Sequence, residues 1–510
     1  MFNKRLYIVS LIIILALNAL SFLAIRSSLI NWLAFNFILI ATALLAWKNL
    51  YYGLIVLLTE LMISSHGHLF DVYFNSFRFS MRMGIFAILL IVSAARIITP
   101  QFILPTTIKF TIRTTKNLIL AYKWYLVFGF FILIGVANGL LQKNRLSYLY
   151  QDVNGYLFFL LLPVFLIALK PKKATNAKLP TTQLLSVWAA AITWQFLVST
   201  ILLFLYGHVD LFWRGLVPVY SWFRDQRIIE VGLYNYNFYR VFMQSALWAL
   251  TGFFVFLSLW WNRTSDKKNT PYIEMILISL ITVLLISLSR SFWLSGLIVA
   301  LLYFTYQTIT TRPRIISICT KSVRFGALCC VSIAIIAGAL ILPIGKTPGL
   351  KSLASISERG IDTEDAAISS RWDLYPALWK GIKSNLIFGN GFGATVIYKT
   401  SDPRYIAAHP GNPNYETFAF EWGWLDVWYK IGFLGLLTYA ALLGSVLYRG
   451  WKNIRPAVLE NNTNSIYYSV EVGLFFGLIA IIITHSFTPF LNHPLGVGYI
   501  LLTDSIFRKQ

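Results

Sequence analysis

Arg290 stands at the junction of two long apolar runs, in Ile286-Ser-Leu-Ser-Arg-Ser-Phe-Trp-Leu-Ser-Gly296. An ionisable side chain held near membrane depth costs roughly 3 kcal/mol or more, so it usually has a partner or a task. A guanidinium at this junction can face a water-filled cavity, or it can snorkel to the headgroup layer. Arg240 has a similar address in Tyr234-Asn-Tyr-Asn-Phe-Tyr-Arg240, among tyrosines that suit either an interfacial belt or a sugar-stacking wall. Arg224 and Arg227, a little upstream, could also face an anion. Candidates for proton transfer gather elsewhere, in and just beyond the polar segment from Gly345 to Leu425: His409, Glu416, Glu421 and Asp426. A carboxylate at the mouth of a membrane cavity can serve as a general base once it is desolvated. A histidine can do so without that help.

The elements that must hold these residues are membrane helices. The chain has 510 residues, 57% hydrophobic and 12% charged, which is the composition of a polytopic membrane protein. A bilayer core of roughly 30 Å takes about 20 apolar residues as helix, and only helices or closed barrels satisfy the backbone there. The apolar runs are continuous rather than alternating, so an all-α integral membrane bundle of about 14 transmembrane helices is expected. The segments fall near Leu6–Ile25, Leu29–Ala46, Leu50–Ile63, Met83–Ala95, Trp124–Leu141, Gly155–Leu169 and Leu184–Tyr206. They continue near Val241–Trp261, Met275–Leu288, Phe292–Phe304, Phe325–Leu342, Val427–Leu447, Val472–Thr484 and Leu495–Phe507. Four regions follow: an N-terminal bundle (1–239), central helices carrying Arg240 and Arg290 (240–344), one long loop (345–425) and the closing helices (426–510).

Lys and Arg near span ends accumulate on the cytoplasmic side. Lys4 and Arg5, Lys48, the Arg96–Lys116 and Lys170–Lys178 groups, Arg263 with Lys267 and Lys268, Arg312–Arg324, Arg449–Arg455, and Arg508 with Lys509 all fall on one face of the expected topology. The net charge of +23 is therefore mostly a topology signal, and nucleic acid is not an expected partner. Both termini are expected in the cytoplasm. The opposite face carries 66–82, 142–152, 207–239 and 345–425, and the last of these holds eight acidic and eight basic residues, as suits a translocated loop.

Within that loop, Ser369-Ser370 followed by Arg371-Trp-Asp-Leu-Tyr-Pro-Ala-Leu-Trp-Lys-Gly-Ile-Lys383 reads as a capped helix. Trp372, Tyr375, Trp379 and Ile382 recur at helical spacing against polar Arg371, Lys380 and Lys383, so the helix is expected to lie in the interface plane. The glycines of Asn385-Leu-Ile-Phe-Gly-Asn-Gly-Phe-Gly393 lack the preceding strand and the Lys-Ser/Thr of a phosphate-binding loop, and predict a tight turn. Lys4 and Arg5 before an apolar core resemble a signal peptide, but no convincing small-residue cleavage site follows, so a retained anchor is expected. Cys319, Cys329 and Cys330 sit on the cytoplasmic side and predict no exported disulfide. His66-Gly-His68 has no partner ligands arranged around it, so no metal is expected, and Asn262-Arg-Thr264 faces the wrong side for glycosylation.

The order of these elements is more specific than any one of them. Arg290 in Ser289-Arg-Ser-Phe-Trp293, then Ser370-Arg371 and Ala377-Leu378 ahead of Gly389-Asn-Gly-Phe-Gly393, then Lys430-Ile-Gly-Phe-Leu-Gly435, resembles the O-antigen ligase and polymerase superfamily over roughly Arg240 to Leu443. The resemblance implies a GT-C-like membrane fold that needs neither a nucleotide-sugar site nor a metal or cofactor. It also implies an undecaprenyl-pyrophosphate-linked oligosaccharide donor, used at the periplasmic face of the bacterial inner membrane, and an acceptor glycan or glycolipid. Arginines would hold the pyrophosphate, with Arg290 the best match and Arg240 and Arg371 as companions; planar guanidinium donors suit phosphate oxygens. Relatives often carry a His-Asn-x-Tyr-Leu segment eleven residues before the glycine matched by Gly432, and this chain has Glu421-Trp-Gly-Trp-Leu425 there. The base is then Glu421, or His409 reaching in from the loop, with Glu416 and Asp426 as lesser candidates and Arg227 as a further anion contact. This departure favours polymerisation of repeat units over ligation to a lipid A core. A transporter of lipid-linked glycan is the alternative of another class; it predicts buried charge spread over several spans, for which Glu60 and Asp504 are the chief candidates, and repeats related by symmetry.

Overall fold

The computed structural model describes residues 3–75, 77–98, 112–169, 178–235, 238–262, 269–311, 315–342, 349–361, 366–459 and 465–508. Of the residues and basic groups given above, Lys109, Lys170, Lys172, Lys173, Arg263, Thr264, Lys267, Lys268, Arg312, Arg314 and Lys509 lie outside them, as does the 344/345 boundary.

Eleven of the described helices are long and apolar enough to cross a membrane. Three shorter apolar helices, α3 (Leu50–Ile63), α11 (Thr270–Ile286) and α19 (Pro494–Phe507), fall where the third, ninth and last segments were expected. At the centre is α10 (Leu247–Asn262), buried on every side as an all-apolar helix must be. It packs on α11 and α18 (Ile466–His485), and α8 (Lys178–Gly207) reaches it through a tryptophan side chain. Trp188 of α8 donates its indole N–H to the Trp248 carbonyl (3.2 Å). The outer helices α1 (Lys4–Ala24), α2 (Ser28–Lys48) and α13 (Ile315–Ile341) instead expose Ile12, Phe37, Leu44 and Val323. Apolar surface on that scale belongs against lipid.

The main departures from expectation occur between spans. A helix expected to start at Gly155 starts at Leu146, since α6 (Leu146–Leu157) runs through a 3-10 turn into α7 (Leu162–Ala168), and Leu149 and Val153 pack on the core where a loop was expected. The segment after α8 holds a further helix, α9 (Val209–Asp225), and an antiparallel hairpin of β3 (Glu230–Leu233) with β4 (Tyr239–Phe242). Another hairpin, β1 (Asp71–Phe74) with β2 (Phe77–Ser80), precedes α4 (Met81–Ile98).

The long loop is ordered into α14 (Ala354–Ile361), α15 (Ala366–Ser384), α16 (Pro403–Ala408) and the hairpin β5 (Val396–Lys399) with β6 (Asn414–Thr417). α15 begins one turn before the expected Ser370 cap, because Ala366-Ala-Ile are themselves helix formers. Its buried stripe is Leu374, Leu378 and Ile382, which share a small core with Val396, Phe420 and Tyr429; of the expected face of Trp372, Tyr375, Trp379 and Ile382, Ile382 belongs to that core and Trp379 packs against it, while Trp372 is 59% exposed. Spacing of four selects the buried face.

The glycine motif turns the chain backbone-to-backbone against its neighbours. α17 (Gly423–Leu459) is broken at Gly432, whose φ of 73° lies in the left-handed region. Asn390 and Gly391 donate N–H groups to the Tyr429 and Lys430 carbonyls (2.7 and 3.0 Å), and Phe392 donates to Gly135 (3.0 Å) in α5 (Ile112–Leu141). A Cβ on Gly391 would stand 2.6 Å from Gly139 Cα and 2.7 Å from Asn138 C, at a φ of +76°. Neither backbone atom can give way, so Gly391→Ala should lower unfolding stability by about 2–5 kcal/mol, the sum of a left-handed penalty and overpacking. The midpoint of thermal unfolding in detergent reads this directly; an unchanged midpoint would mean that the turn is not packed against α5.

Candidate active site

The turn between α11 and α12 (Arg290–Thr311) is the pivot of the site. Leu288 sits there at φ 45°, a left-handed conformation rare for a branched side chain and costing on the order of 1–3 kcal/mol. The carbonyls around it are turned toward cations: Ser287 O accepts from Arg240 Nε (2.8 Å) and Leu288 O from Arg359 Nε (3.4 Å). Arg290 in turn donates Nε to the Arg359 carbonyl (2.8 Å). Three guanidinium planes, from β4, α12 and α14, are therefore fixed by their Nε atoms around one turn. Arg240 rests on the Phe242 ring (4.5 Å to its centroid) and Arg359 on the Tyr234 ring (5.0 Å). The first peptide N–H groups of α12 add partial positive charge at the same place.

Arg371 of α15 completes the group. Its charge, with that of Arg359, reaches Arg240, and its Nε is paired with the Glu421 carboxylate at the entry to α17. Trp422 locks this pair in place: its indole donates to the Arg371 carbonyl (3.1 Å), and its ring meets Trp372, Tyr375 and Phe487. One residue past Phe487, Thr488 lies 3.4 Å from the Ser291 hydroxyl, next to Arg290. Four arginines and one half-exposed carboxylate thus face a common region built from five separate elements. Burial, with the nearby Arg359 and Arg371 charges assisting and Glu230 opposing, pulls the Arg240 guanidinium down to about 10. A cluster of like charges in this state is stabilised by an anion, and a diphosphate matches its planar donors.

Of the residues singled out in the sequence, Arg240, Arg290, Arg371 and Glu421 come together here. His409 does not join them: it is exposed, stacked on Tyr405 (4.2 Å) with Nδ1 on the Tyr405 carbonyl (3.2 Å). Glu416 is exposed on β6, opposite Ile397. Asp426 is buried in an ion pair with Lys430 (2.6 Å), which also binds Asp152 (2.6 Å); Asn492 donates to Asp426 (2.6 Å) and Gly393 N–H to Asp152 (2.7 Å). That network ties the glycine turn to α6 and α17, and leaves Asp426 a structural role. Arg227 lines a separate cavity.

Arg359 was missed: in the sequence it is one of eight bases in the loop, with no spacing to distinguish it. His485, also unremarked, is buried under Trp424 (4.7 Å) and accepts from Leu491 N–H (3.2 Å), and its ring fills the space a Cβ on Gly423 would need. His68 binds Asp71 (2.7 Å) and His66 packs on His493, so the two histidines of that motif point to different partners. Glu60 is neutralised by Arg82 (2.8 Å), and Asp504 by Arg449, Arg508 (2.8 Å) and Tyr125 (2.9 Å). Neither acid is left to carry a substrate.

No curated protein matches the chain. Residues 275–440 match the family model described as O-antigen ligase, a stretch running from α11 into α17 that contains every member of the cluster except Arg240. The similarity to the O-antigen ligase family therefore lies in the part of this multi-pass membrane protein that carries most of the site.

Proposed function

We propose that the protein is an inverting, metal-independent glycosyltransferase that polymerises repeat units from an undecaprenyl-pyrophosphate-linked donor at the periplasmic face, on a GT-C-like scaffold. The observation that carries this reading is the convergence of Arg240, Arg290 and Arg359 around the Leu288 turn, with Arg371 near enough for its charge to act on Arg240 and paired with Glu421. The acceptor sugar hydroxyl gives its proton to the Glu421 carboxylate as its oxygen bonds to the anomeric carbon of the donor. The bond from that carbon to the pyrophosphate oxygen breaks, and its electron pair leaves on the diphosphate. Charge grows on the departing oxygen, where fixed guanidinium groups stabilise the transition state more than the ground state.

The Arg371–Glu421 pair links the two halves of the reaction. With the donor absent, Glu421 is engaged by Arg371. A bound pyrophosphate competes for that guanidinium and frees the carboxylate for the acceptor proton. The base is thus released when there is a donor to attack. Pairing of Glu60 and Asp504 within the bundle argues against the transporter alternative. The direct test supplies purified protein in detergent with lipid-linked repeat units and no energy source. Elongated lipid-linked glycan is the expected product; its absence with intact protein would overturn the reading.

The Arg240 contact is tested by substitution. Arg240→Ala should raise the KM for the lipid-linked donor by about tenfold or more, the loss of a charge-assisted contact to the pyrophosphate. An unchanged donor KM in that variant would remove Arg240 from the donor contacts.

A further inference from the structure

Beside the arginine cluster lies a cavity of about 420 Å³, walled by the loop after α3, the end of α9 and the β3–β4 hairpin. Its lining includes His66, Tyr220, Arg227, Glu230, Phe242 and Gln244. Three of these carry planar groups with unspent hydrogen-bonding capacity: among the described residues, no hydrogen bond is made by the Arg227 guanidinium, the Glu230 carboxylate or the Gln244 amide. Arg227 holds its position through a left-handed backbone, φ 48°. Burial together with Arg82, His68, Arg227 and Arg78 pushes His66 down to about 3, so its imidazole is neutral and offers one donor and one acceptor. Tyr220 and Phe242 supply ring faces.

We infer that this cavity is a pyranose subsite, holding a sugar of the glycan chain whose reacting end lies at the arginine cluster. Planar amide, carboxylate and guanidinium groups suit the paired hydroxyls of a sugar ring, and aromatic faces suit its C–H surface; the volume falls within the usual range of roughly 300–1,000 Å³ for ligand pockets. A lipid tail would leave the polar groups unpaired. A bare anion would leave Glu230 facing like charge. The link to the active site is direct, because the Phe242 ring that lines the cavity carries the Arg240 guanidinium on its face. Along the hairpin, the Glu230–Phe242 pair and the Gly232–Arg240 pair are two residues apart, roughly 7 Å. The subsite therefore reads a sugar next to the one being transferred, and sets which glycan is accepted. This rests on the glycosyl-transfer reading above for its role, but not for the binding itself.

The probe is the repeat-unit oligosaccharide released from its lipid carrier, added to full-length protein in detergent and followed by saturation-transfer NMR. Gln244→Ala with Arg227→Ala should weaken binding by about tenfold or more, and Glu230→Gln should weaken it without a change in net packing. Equal binding by wild type and by both the double and the Glu230→Gln variants would overturn the subsite, as would displacement of the sugar by anionic phospholipid alone. If the oligosaccharide binds in this cavity-dependent way but no polymer forms, the transfer reading fails and the subsite stands. Should polymer form with an unchanged acceptor KM in the cavity variants, the subsite fails and the transfer reading stands.

Discussion

Arg290→Ala is expected to abolish glycan polymer while the protein accumulates in the membrane at its normal level. Arg290 starts α12, and its Nε is committed to the Arg359 carbonyl, so the rest of the guanidinium is held in one plane before any ligand arrives. Donors fixed in this way cost no reorganisation when charge develops on the leaving diphosphate; removing one such contact typically lowers the rate by about 10²–10³. Arg290→Lys should recover little of this loss. An ammonium could keep a charge near the site but could not bond the Arg359 carbonyl and present a planar fork at the same time. Because the Arg359 contact also positions Arg359 itself, a second guanidinium is disturbed by the same change. Polymer length and yield in cells, and turnover with purified components, are the measurements. Unchanged yield and length in Arg290→Ala would show that the cluster does not act on the leaving group.

Why Arg290 could be found in the sequence, and Arg359 could not, is a matter of range. An arginine between two apolar runs is conspicuous because the solvent on either side makes it expensive. The same one-dimensional rule located the eleven helices long and apolar enough to cross a membrane, and the shorter apolar α3, α11 and α19, since hydrophobic length is a local property. What fixes the arginines is not local: Arg240 bonds a carbonyl 47 residues away, Arg359 one 71 residues away, and Lys430 an acid 278 residues away. Backbone carbonyls also carry no residue identity, so their role in aiming guanidinium groups left no trace. Asp426 illustrates the converse. It read as a possible base because its position next to a span was visible and its partner Lys430 looked only like part of a glycine motif, whereas the buried ion pair commits it to holding the fold. In the long loop, periodicity identified α15 and its face of Trp372, Tyr375, Trp379 and Ile382, but not the core positions Leu374 and Leu378, because the partners that bury them, Val396, Phe420 and Tyr429, come from other parts of the chain.

Glu421→Gln is expected to reduce transfer by about 10²–10⁴-fold, the usual contribution of a positioned general base, whereas His409→Ala should leave it close to wild type. The two substitutions test different geometries. Glutamine keeps the size of the side chain and an oxygen that still accepts from Arg371, so the donor-binding cluster and the Trp422 lock remain assembled while the capacity to take a proton is lost. His409 is exposed, and its ring is spent on Tyr405 stacking and a bond to the Tyr405 carbonyl. Should only the histidine change abolish polymer, the assignment of the base to Glu421 fails. A further variant separates proton transfer from charge balance: Arg371→Ala removes the partner that engages Glu421 before the donor binds. If the carboxylate is the base and Arg371 a donor contact, that variant should show a raised donor KM with a smaller loss in kcat than Glu421→Gln. Were Glu421 merely the counter-ion that keeps Arg371 in place, the two variants would fail in the same way, through KM alone.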